Sequence, residues 1–230
     1  MTARPTVYIV GADKGGVGKT TTSRALLSYF KDHGIDAKAW DTEPEPGVLK
    51  RYHPDTTEVV DLQKSDGQMK VFDNLSRAFV TVIDCKAGLL TETLKTLSDI
   101  GFLEAMREGK LDVVVLHVMG ATAASFEEIQ AAAKILEGAK HFLVTNHIND
   151  TEYWGWDTPE AKATLALASG GIINIPKLDE MSMEAVGAKL QGFTDFGKDI
   201  ANSFVLRGKV RHWLGLVFKA FNGAKLDPAV

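Results

Sequence analysis

Residues 7–30 read VYIVGADKGGVGKTTTSRALLSYF. Four apolar, strand-forming residues (Val7 to Val10) run straight into a turn containing Gly15, Gly16 and Gly18, and Lys19-Thr20 open an amphipathic helical run. A strand, a glycine-rich turn and a helix start bring backbone N–H groups and the positive end of a helix to one point, where a phosphate chain can sit. Side chains at the glycines would block that approach. Lys19 is spaced to reach the β- and γ-phosphates and the Thr20 hydroxyl to ligate Mg²⁺. Gly15, Gly16, Val17, Gly18, Lys19, Thr20 and Thr21 are therefore the expected nucleotide-binding segment. A chance match to K-G-G-x-G-K-[ST] has a probability on the order of 10⁻⁷ per starting position, so a solvent-facing glycine turn is the poorer explanation.

Working outward, short β-branched runs alternate with amphipathic ones, the pattern of βα units around a parallel sheet. Strands are expected at 6–12, 35–40, 57–62, 78–84, 111–119, 139–146 and 171–176. Several are almost wholly apolar, as strands covered on both faces are. Helices are expected near 19–33, 67–77, 89–108, 122–138, 158–169 and 179–190, with one or two more between 195 and 222. The expectation is a single α/β domain, a mostly parallel twisted sheet with helices on both faces, of the P-loop NTPase kind. Residues 1–206 form its body, and 207–230 a basic amphipathic helix and tail belonging to the same domain.

The chain has 230 residues, 45% hydrophobic and 24% charged. No apolar run approaches the roughly 20 residues of a membrane span, and the start MTARPTVYIV lacks the flanks of a signal peptide. One cysteine, Cys85, excludes an internal disulfide and suits a reducing cytoplasm. Cys85 has no obvious histidine partner and is expected to be a buried strand-end residue. The net charge is -4. Residues 204–226 hold five basic residues and no acid, leaving 21 positive against 30 negative charges elsewhere. The tail is a basic segment on an acidic body.

A Mg-nucleotide site needs carboxylates at the carboxyl ends of strands near the loop. Asp41 and Glu43 follow the second strand, and Asp84 ends "FVTVID" in the manner of a Walker B aspartate. Asn146 ends the sixth strand, where its amide can read a base edge or cap a turn. The guanine-reading pattern N-K-x-D would need aspartate at 149, which is Asn149, so ATP is favoured over GTP.

Position 13, where the usual Walker A pattern begins with glycine, is Asp13, and Lys14 precedes the glycines. This K-G-G-x-G-K-T variant resembles the deviant Walker A of the ParA/MinD family of ATPases. The resemblance is strong over residues 7–23 and supported at Asp41, Asp84 and Asn146. It implies that Lys14 reaches the phosphates of a partner subunit's nucleotide, though a loop lysine acting in cis also fits. It implies that Asp41 holds a Mg²⁺-bound water and that Glu43 stands where a second aspartate orients the attacking water. The extra methylene of Glu43 makes slow hydrolysis expected; a plain loop acid is the alternative. Lys86 replaces a proline common after the Walker B aspartate. The segment INIPKL resembles the family's base-covering I-P segment and brings Pro176 into the nucleotide set. By resemblance the catalytic set is Lys14, Lys19, Asp41 and Glu43, the metal set Thr20, Asp41 and Asp84, and the cofactors ATP and Mg²⁺.

The implied function is an ATP-dependent dimerising switch with slow hydrolysis, positioning or segregating plasmid DNA or another cargo. The implied partners are a second copy in the ATP state and a protein that stimulates the ATPase. Its place would be cytoplasmic, or peripheral at membrane or nucleoid. Two other readings fit the same scaffold: a nucleotide-gated binding protein with negligible turnover, and a metabolic P-loop kinase or ligase. An iron-sulfur reductase is excluded by the lone cysteine.

Tyr153, Trp154 and Trp156 make an aromatic loop that either packs on its own domain or covers the base or a partner. His117, His141 and His147 have no metal-ligand spacing and are expected to be structural. In the tail, Val210, Trp213, Leu214, Val217, Phe218 and Phe221 form one apolar helical stripe. Packing on the core is favoured; binding to an anionic membrane, as in the MinD branch, or contact with DNA or a partner are the alternatives.

Overall fold

The structure, a computed structural model, describes residues 4–12, 14–75, 78–120, 124–147, 152–153 and 157–228. Asp13, Asn149, Trp154 and Trp156 lie outside them. The strands are β1 Thr6–Gly11, β2 Ala37–Asp41, β3 Thr57–Val59, β4 Val80–Asp84, β5 Asp112–Val118, β6 Lys140–Asn146 and β7 Gly171–Ile175. The helices are α1 Lys19–Asp32, α2 Ser65–Phe72, α3 Leu90–Asp99, α4 Phe102–Arg107, α5 Ala124–Ile135, α6 Pro159–Leu167, α7 Glu180–Lys189, α8 Phe193–Lys198 and α9 Phe204–Gly223.

The seven strands form one parallel sheet in the order β3-β2-β4-β1-β5-β6-β7. All residues of β1 and β4 are buried, because helices cover both faces and successive side chains point to opposite sides. Val7 and Ile9 join a core with Trp40, Ile83, Leu94 and Leu97. Tyr8 and Val10 enter the opposite one with Leu26, Phe30, Phe193 and Trp213. The chain leaves β1 toward β2 on one side and later continues through β5 on the other. The order thus reverses beside β1, where open α/β sheets hold ligands at the strands' carboxyl ends.

Two expected elements come out differently. The helix expected over 89–108 is broken into α3 and α4 at Gly101, whose φ of 89° is left-handed and ends the run. The strand expected over 57–62 stops at Val59, and the Val60 N–H donates instead to the Asp41 carbonyl at 2.9 Å.

The tail stripe faces inward. Val210, Trp213, Leu214, Val217 and Phe221 are each at most 5% exposed. The Trp213 indole donates to the Pro176 carbonyl at 2.7 Å and its ring packs 4.7 Å from that of Phe193. Beyond α9, the Tyr8 hydroxyl donates to the Leu226 carbonyl and the Tyr29 hydroxyl to Asp227 at 2.6 Å. The apolar stripe is therefore part of the protein's own core. Among the described residues no helix is long and apolar enough to cross a membrane.

Candidate nucleotide-binding site

Gly18 adopts a left-handed φ of 93° and starts α1 without any side-chain cap or acid in the first turn. A glycine N-cap offers no side-chain acceptor of its own to the first N–H groups of α1, the condition that suits a helix end to an anion. Gly16 also has a left-handed φ, 73°, and a Cβ added at Gly15 or Gly16 would meet no protein atom within 4 Å. Neither glycine is there to pack against the protein; both leave open space over the loop. The residues present fit a phosphate chain.

Lys19 is 8% exposed and donates to the Lys14 carbonyl at 2.8 Å, which holds its ammonium beneath the loop. The Thr20 and Ser23 hydroxyls donate to Asp84 Oδ2 and Oδ1, each at 2.8 Å. The β1–β4 register sets Val10 beside Asp84, which brings that carboxylate, buried at 2% exposure, under the start of α1. Burial pushes the Asp84 carboxyl up to about 7, against the pull of Ser23, Thr20 and Lys19. Ser23 was not anticipated, although its spacing three residues after Thr20 puts both hydroxyls on one helix face. Among the described residues no three His, Cys, Asp or Glu side chains converge as metal ligands. A Mg²⁺ at Thr20 and Asp84 would complete its shell with phosphate and water oxygens.

Asp41 and Asp84 are register neighbours on β2 and β4, yet the Asp41 carboxylate is already engaged. Its Oδ1 accepts from the Glu43 N–H at 2.9 Å, and its Oδ2 from Leu49 and Lys50 N–H at 2.7 and 3.2 Å. It is fully buried and closes the loop 42–50 on itself. Glu43 lines an open cavity of about 470 Å³ together with Glu45, Asp61 and Lys86. Thr42 braces this side: its hydroxyl donates to the Asp84 carbonyl at 3.1 Å and accepts from the Lys86 N–H at 2.7 Å.

At the other flank, Asn146 and Ile175 are register neighbours, which brings Asn146 beside Pro176. The Asn146 amide donates to the Gly18 carbonyl at 3.1 Å and ties β6 to the loop, while its Oδ1 is buried without a partner among the described residues. That acceptor fits a base amino group. The Tyr153 hydroxyl donates to the Asn146 carbonyl at 2.9 Å, so this aromatic packs on its own domain. The Lys14 stem lies against Gly120, where an added Cβ would approach its Cδ to 3.2 Å. Lys14 shares a groove with His117, Ser125 and Glu128.

The remaining singled-out residues are internal. Cys85 is 1% exposed beside Thr93. His117 Nε2 and His141 Nδ1 are 3.0 Å apart, and His141 Nε2 lies 3.1 Å from the Leu136 carbonyl. A carbonyl only accepts, so His141 Nε2 carries hydrogen, its Nδ1 accepts, and His117 Nε2 donates. Burial pushes the His117 ring down to about 3 and the His141 ring also down.

No family model matches the chain. Over 67 residues it is 31% identical to protein MobD of Acidithiobacillus ferrooxidans, a match covering 28% of this chain and 30% of MobD. The chain thus spans under a third of the curated relative it matches. A nucleotide-binding protein from Archaeoglobus fulgidus, solved in complex with ADP, aligns at 18% identity and a TM-score of 0.47 over 77% of this chain and 84% of that one. The MinD cell division protein of Aquifex aeolicus aligns over 91% of this chain and 96% of its own at 14% identity, with a TM-score of 0.52. What is shared at that identity is architecture: the chain is a single α/β domain with the phosphate-loop fold of MinD.

Proposed function

We propose that the protein is a P-loop ATPase of the ParA/MinD type, an ATP-dependent dimerising switch with slow hydrolysis that positions or segregates plasmid DNA or another cargo. The observation that carries the reading is the loop itself: open space over Gly15 and Gly16, an uncapped α1, Lys19 beneath, Thr20 hydrogen-bonded to Asp84, and a second lysine, Lys14, ahead of the glycines. ATP supplies a dense negative charge, and Mg²⁺ held by Thr20 and Asp84 would neutralise the bridging oxygens. Lys19 and the α1 N–H groups bind the phosphates, Asn146 and Pro176 border the base, and Lys14 of one subunit meets the phosphates of the other. A cation supplied across an interface makes association depend on nucleotide and stabilises charge on the transferring group.

The test is light scattering on the purified chain with a non-hydrolysable ATP analogue and Mg²⁺. Wild type is expected to dimerise and Lys14→Ala to bind nucleotide yet stay monomeric; a Lys14→Ala protein that dimerises normally sinks the proposal. One observation favours a second reading, a nucleotide-gated binding protein with negligible turnover. The Asp41 carboxylate is already committed to three backbone N–H groups, which leaves it less free to hold the metal-bound water that hydrolysis needs. A turnover assay with a stimulating partner separates the two.

A further inference from the structure

Burial of the tail's apolar stripe leaves the opposite face of α9 outward. Phe204, Val205 and Leu216 are 74%, 60% and 45% exposed. They belong to an uneven distribution: of ten exposed large apolar side chains among the described residues, six lie between Met181 and Leu216, on α7, on α9 and in the connections between them. Between Phe204 and Leu216 the face carries Gly208, where an added Cβ would meet no atom within 4 Å, and the exposed His212. Phe204, Gly208, Arg211, Gly215 and Lys219 succeed one another at helical spacing on this face. Residues 204–226 contain no acid. Lys209 pairs with Asp179 at 3.3 Å, and Arg211 and Lys219 are exposed on the outer face.

We infer that the outer face of α9 is a docking surface for an acidic amphipathic helix of a partner protein. Phe204 and Val205 at one end and Leu216 at the other are about 18 Å apart along the helix, so two apolar anchors of a partner helix of roughly four turns would seat on them. Gly208 lets its backbone come close near Phe204, and Arg211 and Lys219 pair with its carboxylates. A lipid surface fits less well, because glycines and cations interrupt the apolar residues and no continuous apolar face remains to insert. A single helix face is at the small, transient end of specific interfaces, so binding in the micromolar range is expected. The inference does not depend on nucleotide.

The experiment selects a displayed library of random helical peptides on the full-length protein without nucleotide, with phosphatidylcholine/phosphatidylglycerol vesicles and duplex DNA as counter-probes. Enriched peptides are expected to be amphipathic and acidic. Their affinity is expected to fall about tenfold or more in Phe204→Asp and in Arg211→Glu/Lys219→Glu, both at exposed positions whose circular dichroism should match wild type. No enrichment, enrichment of neutral or basic peptides, or full affinity for Phe204→Asp overturns the inference. So does binding to vesicles or DNA that these substitutions abolish while acidic peptides fail to bind.

Discussion

Replacing Asp41 by alanine separates two duties of one carboxylate. If Asp41 served only a metal-bound water, its loss would be silent in the nucleotide-free protein. Its oxygens instead accept three backbone N–H groups, from Glu43, Leu49 and Lys50. The Leu49 bond is buried, and an unsatisfied buried donor costs about 1–3 kcal/mol. The other two bonds are partly buried; water can replace the carboxylate there at about 1 kcal/mol each. Taken as additive, these losses mean that Asp41→Ala should destabilise the apo protein by about 3–5 kcal/mol. In a domain of this length that lowers the melting temperature by roughly 10 °C. Asp41→Asn, which keeps one acceptor oxygen but points an NH₂ group at backbone donors, should fall between. Urea denaturation of the three proteins without nucleotide or metal, with unchanged m-values, is the assay. An apo Asp41→Ala protein within about 1 kcal/mol of wild type refutes the assignment of Asp41 as the latch of the loop.

Gly16→Ala should cost only about 1–2 kcal/mol of stability, from its left-handed backbone, because the added methyl meets no protein atom. Its nucleotide affinity should drop about tenfold or more, since the methyl enters the phosphate path; calorimetry showing wild-type affinity contradicts the loop assignment. Deleting residues 207–230 removes five core side chains of α9, each worth about 1.5–3 kcal/mol, an amount comparable with the whole stability of a domain. The product should be unfolded by circular dichroism, and a folded, soluble truncation would show that the stripe is dispensable to the core. For pH, the unfolded His117 ring takes a proton near 6.5 and the folded ring only near 3. Its contribution to stability is therefore complete above pH 6.5 and lost as pH falls, by about 2 kcal/mol at pH 5. His117→Asn should lose less stability than wild type between pH 7.5 and 5, and identical slopes in urea titrations would contradict a ring buried in the neutral form.

The legible parts were those whose partners are close in sequence or implied by periodicity. All seven strands were expected from short strand-forming runs, several of them almost wholly apolar, and the loop at 15–20 carries its own geometry, because left-handed glycines and a glycine helix cap are local properties. Asp84 under Thr20 followed from the expectation that strand ends meet beside the loop. Even the break at Gly101 had a local sign, a glycine inside a helical run, that the amphipathic pattern overrode.

The duties of the remaining residues were decided by tertiary contacts. Nothing around Asp41 in the sequence says that the loop after it turns back to offer Leu49 and Lys50 N–H groups to its carboxylate. Nothing near Asn146 says that its amide reaches Gly18, 128 residues away. The stripe on α9 showed that one face is apolar; only the assembled sheet, with Phe193 and Pro176 waiting for Trp213, showed that the protein itself covers it. Hydrophobic periodicity determines which faces need burial and glycine which turns are allowed, and both are carried by neighbours in the chain. What meets each face, and which carboxylate is left over for chemistry, depends on partners that only folding brings into contact.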